Sequence, residues 1–315
     1  MTEIAILFPG QGSQSVGMLS ELADSRPEIE QTFAEAGDVL GIDLWQLVSQ
    51  GPAEELNRTE LTQPAMLAAG IALWRAWRAS GGPLPTLMAG HSLGEYAALV
   101  AAEAMHFGDA LRVVSRRGQL MQSAVPEGEG AMAAILGLDD ELVEAICREA
   151  EEGQVVAPAN YNSPGQLVIA GASNAVERAM HKCRDAGAKR VMVLPVSVPS
   201  HCALMIPAGE ALAEILAGID IRSPVVPVLH NVDVAEHNDP IAIRDALVRQ
   251  MSSPVRWTAT VQAIAGRGVS QMIECGPGRV LSGLGRRIDR NGRWSALEQP
   301  GVIEETIALM KEQAH

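Results

Sequence analysis

The stretch Ala89-Gly90-His91-Ser92-Leu93-Gly94-Glu95-Tyr96 decides how this chain is read. The apolar run Leu87-Met88-Ala89 leads into it as the end of a short strand, and a helix follows it. Gly90-x-Ser92-x-Gly94 has the G-x-S-x-G spacing of a nucleophile elbow, a sharp strand-to-helix turn with a serine at its tip. Glycines two before and two after the serine allow the tight turn and a close approach of neighbouring elements. At a helix N-terminus, free N–H groups and the helix dipole stabilise a developing oxyanion. A plainer reading uses the same residues, because Ser92-x-x-Glu95 also has capping-box spacing. The two glycines and the apolar strand before them favour the nucleophile.

Upstream, Ile4-Ala5-Ile6-Leu7-Phe8 is a continuous apolar run, as expected of a strand buried on both faces of a parallel sheet. It enters the loop Pro9-Gly10-Gln11-Gly12-Ser13-Gln14. The loop lacks the third glycine of a dinucleotide fingerprint, where Ser15 stands, and no acidic residue ends a second strand about twenty residues on. Its N–H groups are therefore expected to face some other oxygen. Residues 17–60 read as short helices and loops. Thr62-Gln63-Pro64 is expected to open a helix reaching Ala79, with a cap-like Thr and a Pro in the first turn. After the elbow come a helix to Ala102 and another from Phe107 to Ser123.

In that last helix Arg117 lies three and four residues from Val113, Val114, Leu120 and Met121, inside the apolar stripe. A guanidinium on an inward face requires an anionic partner. From periodicity alone a structural ion pair is preferred, with a substrate carboxylate as the alternative.

From Gly128 the pattern changes to strand (Ala131–Leu136), helix (Asp139–Ala150), strands (Gln154–Ala159, Gln166–Ala170), helix (Ser173–Ala186) and strand (Arg190–Leu194). This β-α-β-β-α-β order is the ferredoxin-like unit. It divides the chain into a discontinuous large domain, 1–127 and 197–315, and an inserted small domain, 128–196. Asn160 and Asn162 fall between two of its strands, where turn formation is the simplest role for asparagine. Downstream, Ser200 is placed to cap the helix after His201. His201 taken alone reads as structural, although it follows Ser92 in the order of a Ser…His hydrolase. A strand over Pro227–Val232, helices over Ile241–Met251 and Trp257–Gly266, a strand over Gln271–Glu274 and a helix from Arg279 complete an alternating α/β pattern with a parallel sheet.

The chain has 315 residues, 47% apolar and 20% charged, enough for a sizeable core. Its net charge of −14 disfavours nucleic-acid binding. Arg279, Arg286, Arg287, Arg290 and Arg293 nevertheless cluster, either as a solvated helix face or as a dock for an acidic partner. The scattered cysteines lack zinc-ligand spacing and suit a reducing compartment. Neither a membrane span nor a signal peptide is expected, so the expected location is cytoplasmic.

Taken together, Phe8–Gln14, Thr62-Gln63-Pro64-Ala65, Gly90–Tyr96, Arg117-Gly118, Asn160–Gln166, Val198–His201 and Glu274–Gly278 occur in order along nearly the whole chain. In these stretches the sequence resembles the malonyl-CoA:acyl carrier protein transacylase family. The resemblance implies an α/β-hydrolase-like body with a ferredoxin-like insertion. It also implies transfer of malonyl from malonyl-CoA to an acyl carrier protein in fatty-acid or polyketide biosynthesis. By the same resemblance Ser92 is the nucleophile, His201 its base, and the main-chain carbonyl of Gln250 the group that orients the base. Gln11 and Leu93 supply oxyanion N–H groups, Arg117 holds the malonyl carboxylate, and His91, Gln63, Asn160 and Asn162 line the substrate site. No cofactor or metal is implied, and a monomer is expected. The arginine cluster becomes a candidate dock for the carrier protein or the CoA phosphates. A serine esterase or thioesterase and a non-catalytic carrier-binding subunit remain alternatives at this stage.

Overall fold

The computed structural model describes residues 3–196 and 198–312. The chain opens with β1 (Ile4–Phe8), passes through α1 (Ser20–Ala23), α2 (Pro27–Leu40), α3 (Leu44–Gln50) and α4 (Ala53–Leu56), and reaches the long α5 (Thr59–Ala79). Next come β2 (Leu87–Gly90), α6 (Gly94–Ala101) and α7 (Phe107–Ser123). A second group follows: β3 (Gly130–Leu136), α8 (Asp140–Ala150), β4 (Val156–Ser163), β5 (Gln166–Ala172), α9 (Ser173–Asp185) and β6 (Arg190–Val193). The chain then adds α10 (Ile206–Ala217), β7 (Val228–Leu229), α11 (Pro240–Ser252) and α12 (Trp257–Gly266). It finishes with β8 (Gln271–Glu274), α13 (Val280–Ile288), β9 (Arg293–Ala296) and α14 (Val302–Glu312).

Two sheets organise these elements. The larger has order β7-β2-β1-β8-β9 and is parallel throughout. The smaller has order β4-β5-β3-β6 and is antiparallel. Every residue of β1 is buried, which explains its unbroken apolar sequence. Each fully buried Ile, Leu or Phe side chain there contributes about 1.5–3 kcal/mol. Phe8 pairs with Gly90 and Leu7 with Glu274, so β2, β1 and β8 end together. The carboxyl ends of neighbouring parallel strands form the crevice in which α/β sheets bind ligands.

The elbow sits at that edge. Ser92 has φ 51°, a left-handed conformation that costs a side-chain-bearing residue energy. The two glycines make it possible. A Cβ on Gly90 would lie 1.9 Å from the Gly94 carbonyl carbon, and one on Gly94 would lie 2.0 Å from the Phe8 carbonyl oxygen. Gly118 plays a similar packing role on α7. A Cβ there would lie 2.7 Å from the Glu60 Cα, so the glycine lets α7 press against the first turns of α5.

Several expectations change. α6 begins without a side-chain cap, and Glu95 turns away from the Ser92 amide, so Ser92 and Glu95 do not form a capping box. α5 starts at Thr59 and not at Thr62. The Thr62 hydroxyl donates back to the carbonyls of Leu56 and Arg58 and so does not cap the helix; α5 begins a turn before Pro64. Ser200 caps no helix; its hydroxyl reaches the Val198 carbonyl. Asn160 and Asn162 belong to β4, which runs on to Ser163 through two irregularities in pairing, and only Pro164-Gly165 turns. β7 is cut to two residues because His230 and Asn231 leave the sheet for hydrogen bonds beneath the elbow. β9 and α14 were not anticipated; as a result Arg290 lies between elements and Arg293 opens a strand, so the arginine cluster is not one helix face.

Gly94→Ala is expected to destabilise the fold by about 3 kcal/mol or more, because the main chain at the end of β1, Phe8 and Pro9, must move away from the new Cβ. Denaturant unfolding monitored by circular dichroism measures this, and a loss below about 1 kcal/mol would contradict the close-approach account.

Candidate active site

Three distant segments converge on Ser92. Its hydroxyl lies 2.7 Å from His201 Nε2. His201 Nδ1 lies 2.8 Å from the Gln250 main-chain oxygen. A carbonyl only accepts, so Nδ1 carries the hydrogen and Nε2 offers a lone pair to the serine hydroxyl. His201 is 3% exposed and also has positive φ, at 63°. Burial above all, and then the nearby Arg117 charge, pull its pKa down to about 3 against the opposing bond to Gln250. The imidazole is therefore neutral, the form that accepts a proton.

Arg117 projects from α7 into the same crevice and is 1% exposed. Its Nη1 donates to Gln63 Oε1 at 2.8 Å, and its Nη2 to Gln250 Oε1 at 3.0 Å and to Ser92 Oγ at 3.3 Å. All three acceptors are neutral. Among the described residues no ion pair joins Arg117 to a carboxylate, and its Nε has no partner. The structural ion pair preferred from periodicity is thus absent. The guanidinium also lies over the Tyr96 ring, 5.6 Å from its centroid.

The elbow's amides are already divided. Ser92 N–H donates to Asn231 Oδ1 at 2.6 Å, Gly94 N–H to the His91 carbonyl at 2.9 Å and Glu95 N–H to the Ser92 carbonyl at 3.1 Å. The Leu93 amide is the one in this turn that none of these bonds takes up. Gln11 lies in the exposed turn just after β1, whose last carbonyl, that of Phe8, accepts from His91 N–H at 2.9 Å. Gln11 also lines a cleft of about 440 Å³ with Asn57, Thr59, Gly130 and Val196, where the two sheets approach.

His91 Nε2 is 2.9 Å from Asn162 Oδ1, which ties the elbow to β4 of the smaller sheet. Asn160 is buried in β4 and is paired through its main chain with Val255. The turn reading of these asparagines therefore gives way to a structural link across the crevice.

Sequence reasoning gave Glu95 only a capping role and missed His230 and Asn231. Glu95, His230 and Asn231 are fully buried beneath the elbow. The Glu95 carboxylate accepts from His230, from the Asn231 amide and from Gln250 Nε2, and Asn231 Nδ2 donates to the Gly90 carbonyl at 2.6 Å. The available signal was a polar pair ending an apolar strand beside the elbow strand.

The arginine cluster lies to one side. Glu274 accepts from the amides of Leu281 at 2.9 Å and Ser282 at 2.8 Å, anchoring the start of α13 beside the crevice edge. Arg279 precedes that helix, Arg286 and Arg287 occupy its last turn, and all are exposed together with Arg290. Arg287 Nη1 donates to Gln166 Oε1 of β5 at 2.6 Å. Among the described residues no group of His, Cys, Asp or Glu is arranged to hold a metal ion, and no helix is long and apolar enough to cross a membrane.

Residues 6–290 match the family model described as an acyl transferase domain. The malonyl CoA-acyl carrier protein transacylase of Salmonella typhimurium is 58% identical over 307 residues, covering 98% of this chain and 99% of that protein. The chain belongs to the malonyl CoA-acyl carrier protein transacylase family. Among solved structures, the fold is similar to a malonyl-transacylase in complex with its type II PKS acyl-carrier protein, at 56% identity and a TM-score of 0.97, covering 98% of this chain and 100% of that one. An acyl carrier protein S-malonyltransferase from Vibrio cholerae is also similar, at 53% identity and a TM-score of 0.95, covering 97% and 100%. The α/β body with its added antiparallel sheet is thus the architecture of this family.

Because His201 is held neutral, kcat/KM for acyl transfer is expected to stay flat from about pH 7 down to about pH 5, with no acid limb at the ordinary histidine value. Arg117→Ala removes one of the charges that depress His201, so any acid limb should move upward. A wild-type limb centred near the unperturbed value would contradict the buried neutral base.

Proposed function

We propose that the protein moves the malonyl group of malonyl-CoA onto the phosphopantetheine thiol of an acyl carrier protein through a malonyl-Ser92 intermediate. The Arg117 guanidinium carries this reading. It is a buried positive charge 3.3 Å from the serine oxygen, with neutral acceptors and no carboxylate of its own. A charge in that state is matched by an acyl group bearing a free carboxylate, held by charge-assisted hydrogen bonds. Gln63 and Gln250 fix the guanidinium plane, and His91, Asn160 and Asn162 flank the acyl chain.

His201 Nε2 takes the proton as Ser92 Oγ attacks the thioester carbonyl. The Leu93 and Gln11 amides receive the oxyanion that forms. Collapse breaks the C–S bond, and the imidazolium returns its proton to the leaving CoA sulfur. The carrier's thiol then repeats the sequence on the malonyl ester and regenerates Ser92. A carbonyl behind the imidazole stabilises imidazolium less than a carboxylate does, which favours an acyl-enzyme that waits for a thiol. The chemistry calls for a nucleophile, a base, oxyanion donors and two thiols, so this reading includes no cofactor. In this reading the protein acts as a monomer in the cytoplasm. Residues 128–196 form the small domain that closes one wall of the crevice. The cleft beside Gln11 suits the pantetheine arm, and Arg279, Arg286, Arg287 and Arg290 form the acidic carrier's dock.

Intact-mass measurement after mixing with malonyl-CoA should show one malonyl adduct on the wild type and none on Ser92→Ala; an adduct persisting on the variant would refute the assignment. Arg117→Ala is expected to lose about 1.5–3 kcal/mol of binding, roughly tenfold to a hundredfold or more in malonyl transfer, with acetyl-CoA affected much less. Reversing charge at Arg286 and Arg287 should slow transfer to the carrier protein, and the deficit should shrink as salt rises. An unchanged rate would place the dock elsewhere.

A further inference from the structure

Glu95 belongs to the elbow sequence, yet the transfer chemistry above gives its carboxylate no task. It is fully buried in α6. A buried carboxylate is costly unless it is hydrogen-bonded and its charge is answered. Oε1 accepts from His230 Nδ1 at 2.7 Å, and Oε2 accepts from Asn231 N–H at 2.9 Å and from Gln250 Nε2 at 3.0 Å. His230 Nε2 is buried without a partner, and its Nδ1 carries the hydrogen that Glu95 accepts. The Asn231 and Gln250 donors are neutral amides and do not cancel the negative charge.

Arg117 is the complementary case, a buried cation bonded only to neutral acceptors. Burial lowers its pKa, and Tyr96 and Glu95 act against that. The Tyr96 hydroxyl is itself pushed up to about 12 by burial, which leaves Glu95 as the carboxylate in Arg117's surroundings. One side chain lies between the two. Gln250 donates through Nε2 to Glu95 and accepts through Oε1 from Arg117. Its orientation is forced, because turning the amide over would set oxygen against carboxylate and NH₂ against guanidinium. The same Nε2 also donates to the Ser92 carbonyl at 3.1 Å, fixing the spacer to the elbow.

We propose that Glu95 is a positioning residue for the substrate's carboxylate, acting through the Gln250 side chain. It is a counter-charge held one amide away from Arg117. It offsets the cost of burying the guanidinium and keeps it aimed at the serine without occupying the place a malonyl carboxylate would take. A direct Glu95–Arg117 ion pair would stabilise the empty enzyme but would compete with substrate, and the Gln250 amide prevents that pair. This rests on Arg117 being the holder of the malonyl carboxylate.

The test compares kcat and KM for malonyl-CoA and acetyl-CoA, with carrier protein as acceptor, in the wild type, Glu95→Gln, Glu95→Asp and Gln250→Met, each checked for fold by circular dichroism and thermal melting. Glu95→Gln is expected to lower malonyl kcat/KM about tenfold, chiefly through KM, while acetyl transfer falls less than about threefold. Glu95→Asp should restore part of the malonyl preference. In an Arg117→Ala background, Glu95→Gln should have little further effect on malonyl transfer, the non-additivity expected of residues acting as one unit. Equal loss for both acyl groups, or no loss for either, would overturn the proposal, the first by making Glu95 a prop of the elbow alone. If Glu95→Gln does not fold, Gln250→Met decides: removal of the spacer should cut malonyl more than acetyl transfer, and an equal cut overturns the idea. Arg117→Ala that impairs both acyl groups alike would sink the reading of Arg117 itself. Selective loss in Arg117→Ala with unselective loss in Glu95→Gln would sink only this proposal.

Discussion

Ser92 is held at φ 51°, and the surrounding architecture follows from what that backbone angle demands. A side-chain-bearing residue stays in the left-handed region only when its surroundings over-determine it. Here they do so from three sides. Gly94 packs against the end of β1, Gly90 against the start of α6, and Asn231 grips the Ser92 amide and the Gly90 carbonyl together. The strain raises the hydroxyl out of the strand end and presents it to His201. It also leaves the Leu93 amide free of the bonds that engage its neighbours.

Beneath the elbow lies a buried polar cluster that would be costly if any member lost its partner. Glu95, His230, Asn231, Gln250, Gln63 and Arg117 are joined in a chain of hydrogen bonds that leaves only Arg117 Nε and His230 Nε2 without a partner among their side-chain atoms. Such clusters specify a single arrangement more than they add net stability. Gln250 is the member that joins the parts. Its main-chain oxygen accepts from His201 Nδ1, and its side chain bridges the Glu95 carboxylate and the Arg117 guanidinium. The positions of His201 and Arg117 are thereby set by one residue of α11.

The crevice needs both sheets. The parallel sheet contributes the strand ends and the elbow. The antiparallel sheet leans on the body through β4, where Tyr161 N–H donates to the Val255 carbonyl and Asn162 meets His91. His201 itself is fixed by α11, through the Gln250 and Met251 carbonyls, while its neighbour Cys202 packs against the antiparallel sheet.

Much of this was legible in the residues alone. A continuous apolar run is what a strand covered on both faces requires, and it marked β1. Period-2 and period-3.6 patterning marked the β-α-β-β-α-β order. Paired glycines around a serine marked the elbow, because few other sequences permit that turn. An arginine within an apolar stripe marked a buried charge, but not its partner: among the described residues the preferred ion pair is absent, since no carboxylate comes within ion-pair reach of Arg117. Single residues gave weaker signals. His201 alone read as structural, Glu95 as a cap, and Asn162 as a turn former, because each type has a common local role and its long-range partner lies far along the chain. Local sequence determined the elements and the nucleophile's turn, which depend on neighbours a few residues apart. Only the tertiary structure decided which polar side chains face one another. That outcome depends on how the sheets and helices close around the site and on which buried groups can satisfy each other, and no local pattern encodes it.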